Sequence, residues 1–209
     1  MKLESAGAVA LISGTLAMIL VMAHHPSGVP HGPDAVGVMR LGLIVHAVAI
    51  ATVPLMTFGF FALTRSIGFA NPIATLAFFF YLFGAVAVML AATMSGLVAP
   101  RLIEAQMAAT AADQSMIHAL LRLEWYLNQS FAQIHVALFS GAIALWALAW
   151  PDKGILAAAI QIAGLTIGIG VFAWLVSGML SLDVHGMGAV VLAQSVWMII
   201  AAFGLLARR

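Results

Sequence analysis

Six apolar stretches of about 20 residues each, separated by turns rich in proline, glycine and charge, constrain this chain more than any other feature. They cover about 5–23, 38–63, 72–98, 129–150, 154–180 and 187–207. A helix rises ~1.5 Å per residue, so ~20 residues cross the ~30 Å hydrocarbon core of a bilayer. In lipid every backbone N–H and C=O must find a partner within the protein, and an apolar segment of this length does so as a helix. The expected fold class is an all-α integral membrane protein, a bundle of six transmembrane helices forming one domain over 1–209.

Composition closes off the alternatives. Hydrophobic residues make up 64% of the chain and charged residues 7%, against ~25% charged in soluble domains. That leaves too little polar surface to cover a water-soluble globule, so the expected partner is the lipid bilayer. With no cysteine, disulfides, thiolate metal sites, iron–sulfur clusters and cysteine nucleophiles are excluded. A formal net charge of +1 gives no reason to expect a nucleic acid. Lys2 followed by the apolar run Ala6 to Ala23 has the outline of a secretory signal, but it reads as the first membrane helix.

Turn chemistry marks the boundaries: His24-His25-Pro26-Ser27-Gly28 through Gly32-Pro33-Asp34, then Asn71-Pro72, Ala99-Pro100 and Trp150-Pro151-Asp152-Lys153. The polar stretch before the fourth span allows two arrangements. Either 101–115 lies in the interface as an amphipathic helix, or the fourth helix extends beyond the membrane. Of the eight Lys and Arg residues, five (Lys2, Arg65, Lys153, Arg208, Arg209) fall on the N-terminal side and three (Arg40, Arg101, Arg122) on the other. The positive-inside rule then places both termini in the cytoplasm of a bacterial-type inner membrane. Ser13-Gly14, Ser95-Gly96 and Ser177-Gly178 recur on outward-going helices and suggest three helical hairpins. Small residues at helix contacts explain them equally well.

Under this topology all seven histidines and five of the seven carboxylates lie in the outer half. His46 and His135 fall within spans. Measured from Arg40 and from Trp150, both come to rest ~8–9 Å below the outer boundary, so one ligand could touch both if their helices are neighbours. Glu124, Asn128 and His135 share one face of the fourth helix, and His118, Arg122, Gln129 and Gln133 a second. Both faces are expected to turn inward, since unpaired polar groups in lipid are costly.

Imidazole is the commonest protein metal ligand. His46 and His135 are therefore candidate ligands of a b-type haem or of copper, with Arg40, Glu124, Asn128 and Gln133 orienting them. Met39, Met89 and Met94 are alternative thioether ligands, and soft sulfur favours Cu(I). The competing reading makes both histidines hydrogen-bonded packing residues. His24, His25 and His31 are short-spaced and proline-flanked, which permits metal capture at the surface, though a solvated loop is the favoured reading. His185 beside Asp183 has the outline of an oriented histidine, which two residues of separation in a loop support only weakly. The functional expectation is a haem- or metal-binding redox protein acting in electron transfer. The alternatives are a small transporter or channel with an outward-facing polar site, or an accessory subunit joined to a membrane partner or a second copy through faces such as Ala157-Ala158-Ala159. No His-Glu-x-x-His helix, Gly-x-Ser-x-Gly elbow or phosphate-binding loop is present.

Overall fold

Residues 2–27 and 35–208 are described by a computed structural model. His31 and Asp34 lie outside them. Among the described residues all regular structure is helical: α1 (Leu3–Ala23), α2 (Ala35–Ile67), α3 (Pro72–Thr93), a π-helical segment (Met94–Val98), α4 (Ala99–Ala108), α5 (Gln114–Ala149), α6 (Ile155–Val176) and α7 (Val184–Ala207). Six rods are long and apolar enough to cross a membrane, with α3, the π-segment and α4 counted as one. Large apolar side chains such as Phe79, Phe83, Ile162, Leu192 and Phe203 are more than half exposed on their outer surfaces. Water would penalise that arrangement, whereas lipid does not.

Local chemistry sets the ends. Asn71 caps α3, its side chain accepting from Ile73 N–H at 3.0 Å and Ala74 N–H at 3.2 Å, with Pro72 at the first helical position. Asp183 caps α7 in the same way through His185 and Gly186 N–H. It starts that helix three residues earlier than the apolar pattern implies. The α6 helix stops at Val176, short of the expected 180, because Gly178 turns the chain at φ +73°.

The largest departures from expectation concern α3 and α5. Helix α5 runs 36 residues from Gln114, ~54 Å of rise, so the fourth helix extends well ahead of the expected 129. A short helix precedes the fourth span, and that span is also extended. Pro100 does not end α3. It has no N–H to offer the Gly96 carbonyl four residues earlier, and its ring crowds that carbonyl. The chain widens into one π turn over Met94–Val98 and continues as α4.

The six rods close into a ring in which α1 packs on α2, α2 on α3, α3 on α5, α5 on α6, α6 on α7, and α7 on α1. At the end that holds the chain termini, the interior is filled with rings. Phe60 stacks on Trp146 at 4.7 Å, and Trp146 on Trp197 at 6.0 Å. Trp146 Nε1 donates to Thr64 Oγ1 at 3.0 Å, and Trp197 Nε1 to the Ile160 carbonyl at 3.1 Å. Glycines let the helices close around them: a Cβ on Gly168 would lie 2.6 Å from the Ser140 carbonyl oxygen. Arg208 seals this end, pairing with Asp152 at 2.9 Å, donating to Ser66 Oγ at 3.0 Å and lying over Trp150.

Candidate metal site at the histidine end

At the opposite end, residues 24–27, which follow α1, fold back onto α2. Pro26 packs near Gly42, where a Cβ would lie 3.7 Å from the proline ring. This brings His25 against His46, one helical turn on, with ring centroids 4.9 Å apart and Nε2 atoms 3.3 Å apart. His46 is buried and held from the other side by the π-segment. A Cβ on Gly96 would stand 2.3 Å from His46 Cβ, so only glycine admits the ring at that place. The widened turn carries Gly96 to the histidine.

The other ring nitrogens decide the chemistry. His46 Nδ1 lies 2.7 Å from the Gly42 carbonyl oxygen, and His25 Nδ1 lies 2.9 Å from that of Pro26. A carbonyl only accepts, so each Nδ1 carries the hydrogen and donates. In the neutral rings both Nε2 atoms are then bare lone pairs facing each other. Two such nitrogens 3.3 Å apart are bridged by one ring taking the other tautomer and donating its Nε2–H, by an added proton, or by a metal ion. Two nitrogens bound to one tetrahedral ion at ~2.0–2.1 Å lie ~3.3–3.4 Å apart, which matches. Imidazole donating its second nitrogen to a backbone carbonyl is also the usual outer contact of a ligating histidine.

His135 is placed elsewhere. Its Nδ1 donates to the Gly84 carbonyl at 3.0 Å, and its ring stacks on Phe139. Gly84 and Gly96, which hold the two histidines, are twelve residues apart along one rod, ~18 Å of rise. Helix α3 also lies between α2 and α5 in the ring. One ion or one haem iron does not bridge histidines so separated. The equal depths expected from the sequence assumed that Arg40 and Trp150 mark the membrane boundaries, but α2 begins at Ala35, before Arg40, and α5 runs 36 residues from Gln114 to Ala149. The pocket beside His135 measures about 60 Å³, small beside the ~300–1,000 Å³ of cofactor sites.

The remaining expected residues divide. Asn128 reaches the π-segment, donating to the Ala91 carbonyl at 2.8 Å and to Ser95 Oγ at 2.7 Å. It satisfies a backbone group at the start of the widened turn and so supports Gly96 and His46 from behind. Glu124 is buried one turn away on α5. Arg40 and Gln133 are exposed, and neither makes a protein hydrogen bond among the described residues. The second polar face of α5 does not turn inward as expected. His118 and Arg122 are exposed, and His118 meets Gln106 of α4. Their part of α5 extends past the apolar span, where polar groups need no burial. Only Gln129 of that face reaches inward, to Asn128 and the Leu182 carbonyl. Among the described residues no cluster of three or more His, Asp or Glu side chains forms.

The sequence reading weighed His25 only as one of three loop histidines and missed its pairing with His46. Its signal was a histidine followed by proline at the end of α1, with a glycine four residues before His46 able to receive that proline.

No known family, curated protein or solved structure matches this chain. Its functional reading therefore rests on its own chemistry.

Proposed function

We propose that this chain is a multi-pass inner-membrane protein, with both termini cytoplasmic, that binds a transition-metal ion, copper, at its outer end. The observation that carries the reading is the facing pair of Nε2 lone pairs on His25 and His46, each ring fixed by its own carbonyl. Imidazole suits copper and zinc alike, and a Met-rich interior beneath the pair favours the softer Cu(I). Asn128 and Gly96 shape the π turn against which His46 is seated.

The test is a titration of the full chain in lipid nanodiscs with Cu(I) under reductant. His25→Ala and His46→Ala are each expected to remove one bound equivalent. Unchanged stoichiometry in both variants would overturn the metal reading and leave a shared proton between the rings. A reporter at the C-terminus is expected to read cytoplasmic, and an outside reading would invert the orientation.

A further inference from the structure

We infer that a second soft-metal site lies inward of the His25–His46 pair, in the pocket where α1, α2, α5 and α7 converge, with His135 and the thioethers of Met18, Met56 and Met198 as its ligands. The inference deepens the metal reading above and rests on it for the supply of the ion, but a separate set of observations supports it.

Each of the four side chains lines one pocket of about 60 Å³, and each comes from a different rod. That volume suits an ion with a water or two and is far too small for a haem or a drug-sized molecule. His135 spends its Nδ1 hydrogen on the Gly84 carbonyl, so its Nε2 is a bare lone pair. Among the described residues no donor reaches it. The thioethers have partners of their own. Thr15 Oγ1 donates to Met198 Sδ at 3.8 Å, and Thr52 Oγ1, which donates to the Ala49 carbonyl at 2.7 Å, lies 3.3 Å from Met18 Sδ. Met56 is admitted by Gly14, where a Cβ would lie 2.7 Å from its Sδ. A glycine kept where it accommodates a flexible sulfur, and hydroxyls beside two more, hold the methionines in place.

Three sulfurs and one imidazole form a neutral, soft donor set. Such a set selects Cu(I) over hard divalent ions, and a monovalent ion needs no carboxylate to balance it. Thr52 lies six residues along α2 from His46, ~9 Å of rise, which gives two sites in sequence along the ring interior. Beyond the pocket the Gln194–Ser140 hydrogen bond at 3.1 Å and the Phe60–Trp146–Trp197 stack fill the ring.

The test uses the full chain in nanodiscs titrated with Ag(I), a redox-inert stand-in, and with Cu(I) under reductant. Bound metal is counted, and X-ray absorption separates sulfur from nitrogen neighbours. Wild type is expected to bind two equivalents with sulfur scattering present. The Met18→Leu, Met56→Leu, Met198→Leu triple variant should lose one equivalent and all sulfur scattering. Leucine conserves volume well enough to keep the fold, and a thermal melt checks this. His135→Leu alone should lower affinity at the same equivalent if the triple variant unfolds. A wild-type spectrum without sulfur, or a folded triple variant that still binds two equivalents, overturns the pocket site and leaves the histidine pair standing. Sulfur scattering that survives the His25→Ala, His46→Ala double variant while no equivalent is lost overturns the pair and leaves the pocket.

Discussion

The two ends of the ring solve the same packing problem in opposite ways. At the termini end, aromatic rings fill the interior, the Trp146 and Trp197 indole N–H groups have acceptors, and glycines draw the helix backbones together. At the histidine end, the interior holds imidazoles, amides and thioethers, one helix is widened by a π turn, and a pocket remains. The first end is built to be unique and closed. The second keeps imidazole nitrogens without hydrogen-bond donors, which costs stability. Hydrophobic transfer does not drive helix association in lipid, so packing and interhelical hydrogen bonds decide both outcomes.

The sharpest way to break this comparison is to remove the keystone of the closed end. Trp146→Ala deletes a fully buried ring stacked between Phe60 and Trp197 and removes the hydrogen bond that Thr64 accepts, leaving its donation to the Phe60 carbonyl. It is expected to cost about 3 kcal/mol in a reversible unfolding measurement while leaving metal binding per folded molecule intact. Trp125→Ala, at the other end and 55% exposed, should change stability by less than about 0.5 kcal/mol. Equal effects from the two tryptophans would abolish the distinction between a packed end and a working end.

A smaller change should separate shape from stability at the histidine end. Gly96→Ala drives a methyl into His46 and is expected to cost about 2 kcal/mol as overpacking and to remove the equivalent bound by the histidine pair. Gly37→Ala, where nothing lies within 4 Å of the new Cβ, should stabilise its helix by roughly 0.5–1 kcal/mol and bind metal normally. Smaller still, Asn128→Ala frees the Ala91 carbonyl and Ser95. The expected cost is about 1 kcal/mol, with roughly tenfold weaker metal binding if the π turn orients His46. Gln133→Ala on the exposed side of the same helix should do neither, as checked by the same titration.

How much of this was legible in the chain follows from which interactions are local. The six spans were readable because apolar length is a local property, and Asn71-Pro72 and Asp152 beside Pro151 marked turns without help from the fold. His46 and Asn128 were also visible as polar residues to be buried between helices, because polar residues in an apolar run stand out. The pairing was not. Whether His46 meets His135 or His25 depends on the order of helices around the ring and on a π turn. That turn is caused by Pro100 and can also be read, from sequence, as a helix end. The three Ser-Gly pairs make the same point. Gly14 accommodates Met56, Gly96 seats His46, and Gly178 ends α6, so one dipeptide does three unrelated jobs.

The smallest expected effect lies at the cap of α7, on the rim of the working end. Asp183 accepts hydrogen bonds from Gly186 N–H, the Ser181 hydroxyl and His185 N–H, which hold its carboxyl below the usual carboxylate range, with the backbone bond from Gly186 the strongest cause. A carboxyl whose folded pKa is depressed contributes stability that is fully present above its unfolded value. That contribution is lost as pH falls through the folded value. Acidification through the lower carboxylate range should therefore fray the first turn of α7, seen as faster amide exchange at His185 and Gly186. Asp183→Asn keeps an acceptor for the cap but cannot titrate, so exchange at those amides should become independent of pH beyond its intrinsic dependence. An unchanged acid response in Asp183→Asn would show that the sensitivity arises elsewhere than at this cap.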